Sequence, residues 1–152
     1  MTRSTWGLAL DGARARIVRD LEESAHGAPI PEELALEVRS QRLGEIMSDR
    51  PGRGHASVGS ARSAMEYASD PVLEAERAFC EEVLWLLGSH HRRGDFDRLV
   101  VAAAPRMLGI LRDRRSRDIA EAIVAEIPKD LLNLSPADLR ARLRELVPSR
   151  LV

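Results

Sequence analysis

The run Phe96-Asp-Arg-Leu-Val-Val-Ala-Ala-Ala104 constrains this chain more than any other stretch. From Leu99 onward neither side of a pleated strand would carry a polar group, so the run predicts a strand inside a sheet covered on both faces. Such a sheet needs helices packed against it, and the flanking sequence supplies them. Asp70-Pro71 is a helix start, with Asp as N-cap and Pro at the first helical position. Glu74 and Glu76 follow where negative charge is favoured. Val72, Ala75, Phe79, Val83 and Leu86 recur at helical spacing as the buried stripe, and Gly88 is the predicted stop. Cys80 falls beside that stripe and reads as a small core hydrophobe. His90-His91-Arg92-Arg93 is predicted as a short, basic, solvated turn, since adjacent histidines point apart and make a poor metal pair.

Pro105 ends the apolar run, and Arg106 to Arg115 reads as a short helix with Met107, Leu108 and Leu111 inward. Arg112, Arg114, Arg115 and Arg117 gather at its C-terminal end, where cations complement the helix dipole. A second phosphate contact is their alternative use. Ser116 caps a further helical turn. Ala120 to Ile127 fits either a strand or a helix, and Ser135-Pro136 with Asp138 opens a last helix whose apolar face is Leu139, Leu143 and Leu146. Upstream, Thr5 to Leu10 is a short strand and Asp11-Gly12 a two-residue turn. Ala13 to Val18 alternates as a second strand, completing a hairpin. Asp11 is a turn residue on this reading; as a carboxylate at a strand end it is also a candidate nuclease metal ligand. After a break at Gly27 to Pro31, Leu34 to Val38 fits a third strand. These elements predict one α/β domain over residues 1–152, a mixed β-sheet flanked by helices.

Between the third strand and the Asp70 helix lies a loop spanning about residues 40–68. Pro51, Gly52, Gly54 and Gly59 leave no periodic apolar run in its centre. It is strongly basic from Asp49 to Ser63: Arg50, Arg53 and Arg62 stand against Asp49 alone, with His55 beside them. Guanidinium forks next to glycines suit phosphate, because Arg binds it bidentately and Gly lets the backbone come close.

Composition bounds the function. A formal net charge of −1 excludes a wholesale polyanion binder and restricts any nucleic-acid contact to a local patch. Aromatic residues at 3% exclude a stacking platform for single strands. Cys80 is the only cysteine, so neither an intramolecular disulfide nor an all-Cys metal site can form. Asp11, Arg14 and Arg16 interrupt the only candidate signal stretch, and no run approaches the ~20 apolar residues of a membrane span. A cytoplasmic protein is expected. GxxxxGK[ST], GxGxxG after a strand, HExxH and GxSxG are all missing, and no His or carboxylate cluster has metal-ligand spacing, so no cofactor or metal is expected.

Trp6, Asp11-Gly-Ala-Arg-Ala-Arg16, Asp49-Arg-Pro-Gly-Arg53, Arg62-Ser-Ala64, Asp70-Pro71 and Phe79 resemble the bacterial host attachment proteins. So do Leu99-Val-Val-Ala-Ala-Ala-Pro-Arg106, Leu108-Gly109, Leu111-Arg112 and Lys129-Asp-Leu131, in the same order along almost the whole chain. The family is named for a requirement in attachment to host cells, a phenotype that is more indirect than adhesive for a chain without an export signal. It is similar in turn to the middle domain of archaeal and eukaryotic peptide-chain release factors, which implies a ribonuclease-H-like topology. In those factors a Gly-Arg-Gly-Gly-Gln-Ser loop precedes a long helix and enters the peptidyl-transferase centre. Gly52-Arg53-Gly54-His55-Ala56-Ser57 occupies the analogous place, with Ala56 where the hydrolytic Gln would stand and His55 at the second Gly. The resemblance therefore implies a non-enzymatic binding domain contacting RNA or the ribosome through Arg50, Arg53, His55 and Arg62, with Arg106 as a further phosphate-binding candidate. Two other readings stand beside it: an RNA or peptidyl-tRNA hydrolase using His55 as base or Asp11 with a metal, and a protein-interaction module with the loop as docking element.

Overall fold

The computed structural model describes residues 4–22, 30–38 and 70–150. Five strands form one mixed sheet: β1 (Thr5–Leu10), β2 (Arg14–Val18), β3 (Leu34–Glu37), β4 (Arg98–Ala103) and β5 (Ile123–Ile127). Their order is β3-β2-β1-β4-β5. β2 is antiparallel to both β1 and β3, whereas β4 runs parallel to β1 and β5 parallel to β4. Four helices pack on this sheet among the described residues: α1 (Pro71–Arg92), α2 (Pro105–Arg114), α3 (Arg117–Ala122) and α4 (Pro136–Glu145). The expected α/β architecture is thus found.

Alternation along β1 and β4 divides the core in two. Trp6, Leu8 and Leu10 with Leu99, Val101 and Ala103 face α1, α2 and α3. Ala9, Val100 and Ala102 face α4 through Leu139 and Leu143. β4 is covered on both faces, as its unbroken apolar run requires. The α4 side is the closer one. A Cβ on Gly7 would lie 2.7 Å from Leu143 Cδ1, so the helix can settle this deeply only over glycine.

The caps read from sequence are present. The Asp70 carboxylate accepts from the N–H groups of Val72 and Leu73. Ser116 Oγ accepts from Ile119 N–H and Ser135 Oγ from Asp138 N–H. The ambiguous stretch after Ser116 is both things in succession, α3 to Ala122 and β5 from Ile123.

Several expectations need correction. α1 does not stop at Gly88 but runs to Arg92. A helical glycine costs only about 1 kcal/mol, less than the burial of Leu87 contributes. The helix ends instead in a Schellman arrangement at Gly94 (φ +83°), where Gly94 N–H bonds His91 O and Asp95 N–H bonds His90 O. His90 and His91 therefore belong to the last helical turn and are not a solvated loop. The His90 ring lies 4.9 Å from that of Trp6 and its Nδ1 is 2.7 Å from Asp95 Oδ2, while His91 packs 5.4 Å from the Phe96 ring. The buried stripe of α1 is Phe79, Cys80, Val83, Leu84 and Leu87, rotated from the predicted row; Val72 is exposed and Leu86 only partly covered. Pro105 is the first residue of α2 as well as the end of the apolar run, since its fixed φ suits a helix start. Finally, the hairpin turns about Gly12-Ala13, one residue later than predicted. Asp11 N–H closes on Arg14 O at 2.9 Å and pairs those two residues.

Candidate functional site

β1 and β4 end side by side, Leu10 opposite Ala103, and four segments meet at that edge of the sheet. The Asp11–Arg14 turn leaves β1, and α2 leaves β4. β3 finishes there too: Glu37 pairs with Arg14, and Val38 N–H donates to Ala13 O at 2.8 Å. α1 starts beside them, because Glu76 in its second turn lies directly over Gly12. A Cβ there would fall 2.5 Å from Glu76 Oε2, so the glycine is what lets this carboxylate in. Val38 and Asp70, the described residues nearest the basic segment on either side, thus sit at one edge.

The chemistry of the edge follows from these neighbours. Arg106 donates from Nε and Nη2 to Glu76 Oε1, at 3.1 and 2.8 Å. Hydrogen bonding to Glu76, followed by that carboxylate's charge and by Asp70, raises the Arg106 pKa above its ordinary value. The guanidinium stays 58% exposed while Glu76 is 19% exposed, so the arginine still presents N–H groups to solvent. Ala104 gives α2 no side-chain cap, which leaves the first N–H groups of that helix and the positive end of its dipole facing the same edge. Arg14 reaches Asn133 Oδ1 at 3.3 Å across the turn that follows β5. An anion placed beside Arg106 would meet its guanidinium and a helix N-terminus, with Glu76 as the opposing charge, whereas Arg14 turns to the α4 side of the sheet, toward Asn133 and, at 3.9 Å, Asp11.

Asp11 has a structural use. Its Oδ1 accepts from Ala13 N–H at 2.8 Å and Arg14 N–H at 2.7 Å, the pattern of an Asx turn. Among the described residues no group of three or more His, Cys, Asp or Glu could hold a metal ion. Arg50, Arg53, His55 and Arg62, with the whole loop at 40–68, lie outside the described residues. The structure brings together Asp11 and Arg106, which lie far apart in the sequence, and adds Glu76 and Gly12, which sequence reasoning misses. Their only sequence signal is a glycine in a turn, and nothing local says what approaches it.

The arginines in the last turn of α2 and just beyond it are engaged with carboxylates. Arg112 and Arg115 both pair with Glu126 of β5, Arg114 with Glu81 of α1, and Arg117 with Glu121 one turn on. All but the last tie the C-terminal end of α2 to its neighbours. Cys80 is completely buried, and burial, with Glu81 adding to it, pushes its thiol up to about 12, so it is protonated and inert as a nucleophile. No helix among the described residues is long and apolar enough to cross a membrane.

Comparison with known proteins adds the family. No curated protein sequence matches. A solved structure described as an archaeal protein is 12% identical over 93% of this chain and 36% of its own, with a TM-score of 0.43. The chain spans about a third of that protein's length, and a likeness this distant carries no argument about either fold or function. A family model described as "Protein required for attachment to host cells" matches residues 6–143, which include both core clusters, the Asp11 turn and Arg106. The chain belongs to the family of proteins required for attachment to host cells.

Proposed function

We propose that this protein is a non-enzymatic, cytoplasmic RNA-binding domain, and that its effect on attachment to host cells is indirect. Arg50, Arg53 and Arg62, with His55, contact phosphate of ribosomal or transfer RNA, and Arg106 adds a contact at the base of the segment. One observation carries this reading. Val38 and Asp70, which bracket the basic segment, are held at the edge where Arg106 and the uncapped N-terminus of α2 lie. Charges placed by the segment and charges placed by the fold would then act on one polyanion. The chain's net charge of −1 means that this edge, and not the surface as a whole, has to provide the attraction. The resemblance to release-factor middle domains supplies the motive for RNA; with Ala56 in place of the hydrolytic Gln, binding is the part carried over.

The test is sedimentation of the tagged native protein in lysate with and without ribonuclease, beside a variant carrying Arg50→Glu and Arg53→Glu. Migration with ribosomal particles that ribonuclease or the charge reversal abolishes is the expected result. Reversing two phosphate-facing charges must weaken an electrostatic contact and flatten its salt dependence. A protein that stays at the top of the gradient overturns the ribosome reading, and a complex that survives ribonuclease makes the partner a protein. The hydrolase reading has no comparable observation, since Asp11 commits Oδ1 to two turn amides.

A further inference from the structure

Trp85 is 70% exposed at the middle of the outer face of α1. The row through it is Glu74, Ala78, Glu81, Trp85, Gly88 and Arg92, spaced four, three, four, three and four residues apart. That spacing keeps a seam on one side of a helix and suits pairing at a shallow crossing angle. The row is also a palindrome in position: Glu74 and Arg92, Ala78 and Gly88, and Glu81 and Trp85 are each equidistant from Val83.

We infer that this face is a self-association surface, on which α1 of a second copy docks antiparallel about a two-fold axis that crosses the outer face level with Val83. Charge complementarity selects that occupant. The N-terminal half of the face is acidic on balance, with Glu74, Glu81 and Glu82 against Arg77 and with Glu81 paired to Arg114, and the C-terminal end is basic, with Arg92 and Arg93. Antiparallel docking sets the acidic half of each helix against the basic end of the other, Glu74 opposite Arg92, and opposes the two helix dipoles. Glu74 and Glu82 have no ion-pair partner among the described residues, and the docked copy brings Arg92 to Glu74. Arg92 folds back along the helix, its Nη2 3.4 Å from Ser89 Oγ, which brings its charge toward Trp85. The Arg92 guanidinium lies over Gly88, where a Cβ would fall 3.3 Å from its Nη1, so Arg92 stands on the seam itself. Each Trp85 indole then covers the other copy's Glu81–Arg114 pair, which presents a guanidinium to its ring. With one aromatic anchor and a charged surround, the dimer is weak and favoured by low salt.

Sedimentation velocity of the full chain over a wide concentration range at low salt tests this. A monomer–dimer equilibrium is expected, weakened about tenfold or more by Trp85→Ala. Glu74→Arg and Arg92→Glu should each weaken it, and the two together should restore it, because the swap regenerates the pair in both copies. Trp85 is the exposed indole and Trp6 the buried one, so fluorescence should shift to the blue with concentration. All three sites are on the surface, and circular dichroism checks that the variants fold. A chain that stays monomeric at every concentration overturns the inference. So does a dimer indifferent to Trp85→Ala, or charge reversals whose effects add and do not cancel.

Discussion

Where β1 and β4 begin, charged groups are tied to several segments at once, whereas where they end, Arg106 and Glu76 have only each other and Asp11 holds a turn. At the first edge Glu22 accepts from Thr5 N–H at 2.9 Å and pairs with Arg98 at 2.8 Å and Arg150 at 3.3 Å. Arg150 continues to Asp97 at 2.8 Å, Asp97 accepts from Ser4 N–H, and Arg98 reaches the Pro148 carbonyl. That network clasps the start of β1, the segment after β2, the start of β4 and the C-terminal tail. Arg98 is only 13% exposed there, against 58% for Arg106 at the far edge, whose one partner is Glu76. Charges satisfied on every side hold the fold together and are closed to newcomers. A half-solvated arginine with a single partner contributes little to stability and is open to exchange that partner for a ligand.

The largest expected effect breaks the clasp. Glu22→Ala removes the partner of two guanidiniums and one backbone amide, and should cost about 2–3 kcal/mol in urea unfolding. A loss under about 0.5 kcal/mol, the range of ordinary surface changes, would erase the contrast between the edges.

Titration reaches the same network less drastically. Partial burial pushes the Glu22 carboxyl up, but Arg98, Thr5 and Arg150 outweigh it and hold the group below its ordinary value. For Asp97 burial is likewise outweighed, by the hydrogen bond and charge of Arg150 and by Ser4 N–H. Both folded pKa values lie below the unfolded ones, so ionisation favours the folded chain. That stability is fully present above about pH 5 and is lost as pH falls through the depressed values. Acid unfolding of a Glu22→Gln, Asp97→Asn variant should therefore depend less on pH; an unchanged profile would show that other carboxylates govern it.

The smallest effect on stability belongs to the other edge. Arg106→Gln should change unfolding by less than about 1 kcal/mol, because its ion pair is exposed. On the proposed function it should nonetheless weaken RNA binding and lower the salt slope by about one contact. An RNA affinity and salt slope unaltered by Arg106→Gln would remove this residue from the interface.

Much of the local structure is legible in the sequence. Asp70, Ser116 and Ser135 each bring a hydroxyl or carboxylate to amides two or three residues away, and the Phe96–Ala104 run carries its two-faced burial in its own composition. Asp11 announces its turn, though one residue early, since both Gly12 and Ala13 can occupy the bend. Gly88 misleads because a glycine in a helix and a glycine after one look alike; only the packing of Leu87 and His90 against the sheet separates Gly88 from Gly94. The candidate site is legible in part. Arg106 and Asp11 stand out by type, but their nearness to each other and to Glu76 does not.

The helix N-caps and the two-sided burial of β4 can thus be read from the chain alone, for these depend on side chains within a turn or two of one another. Only tertiary structure decided the parallel pairing of β1 with β4, the seat of Glu76 over Gly12, and the clasp joining Glu22 and Asp97 to Arg150. It also decided which tryptophan faces solvent. Each of those contacts joins residues distant in the chain, and its energy exists only after the sheet has closed and carried both partners to the same place.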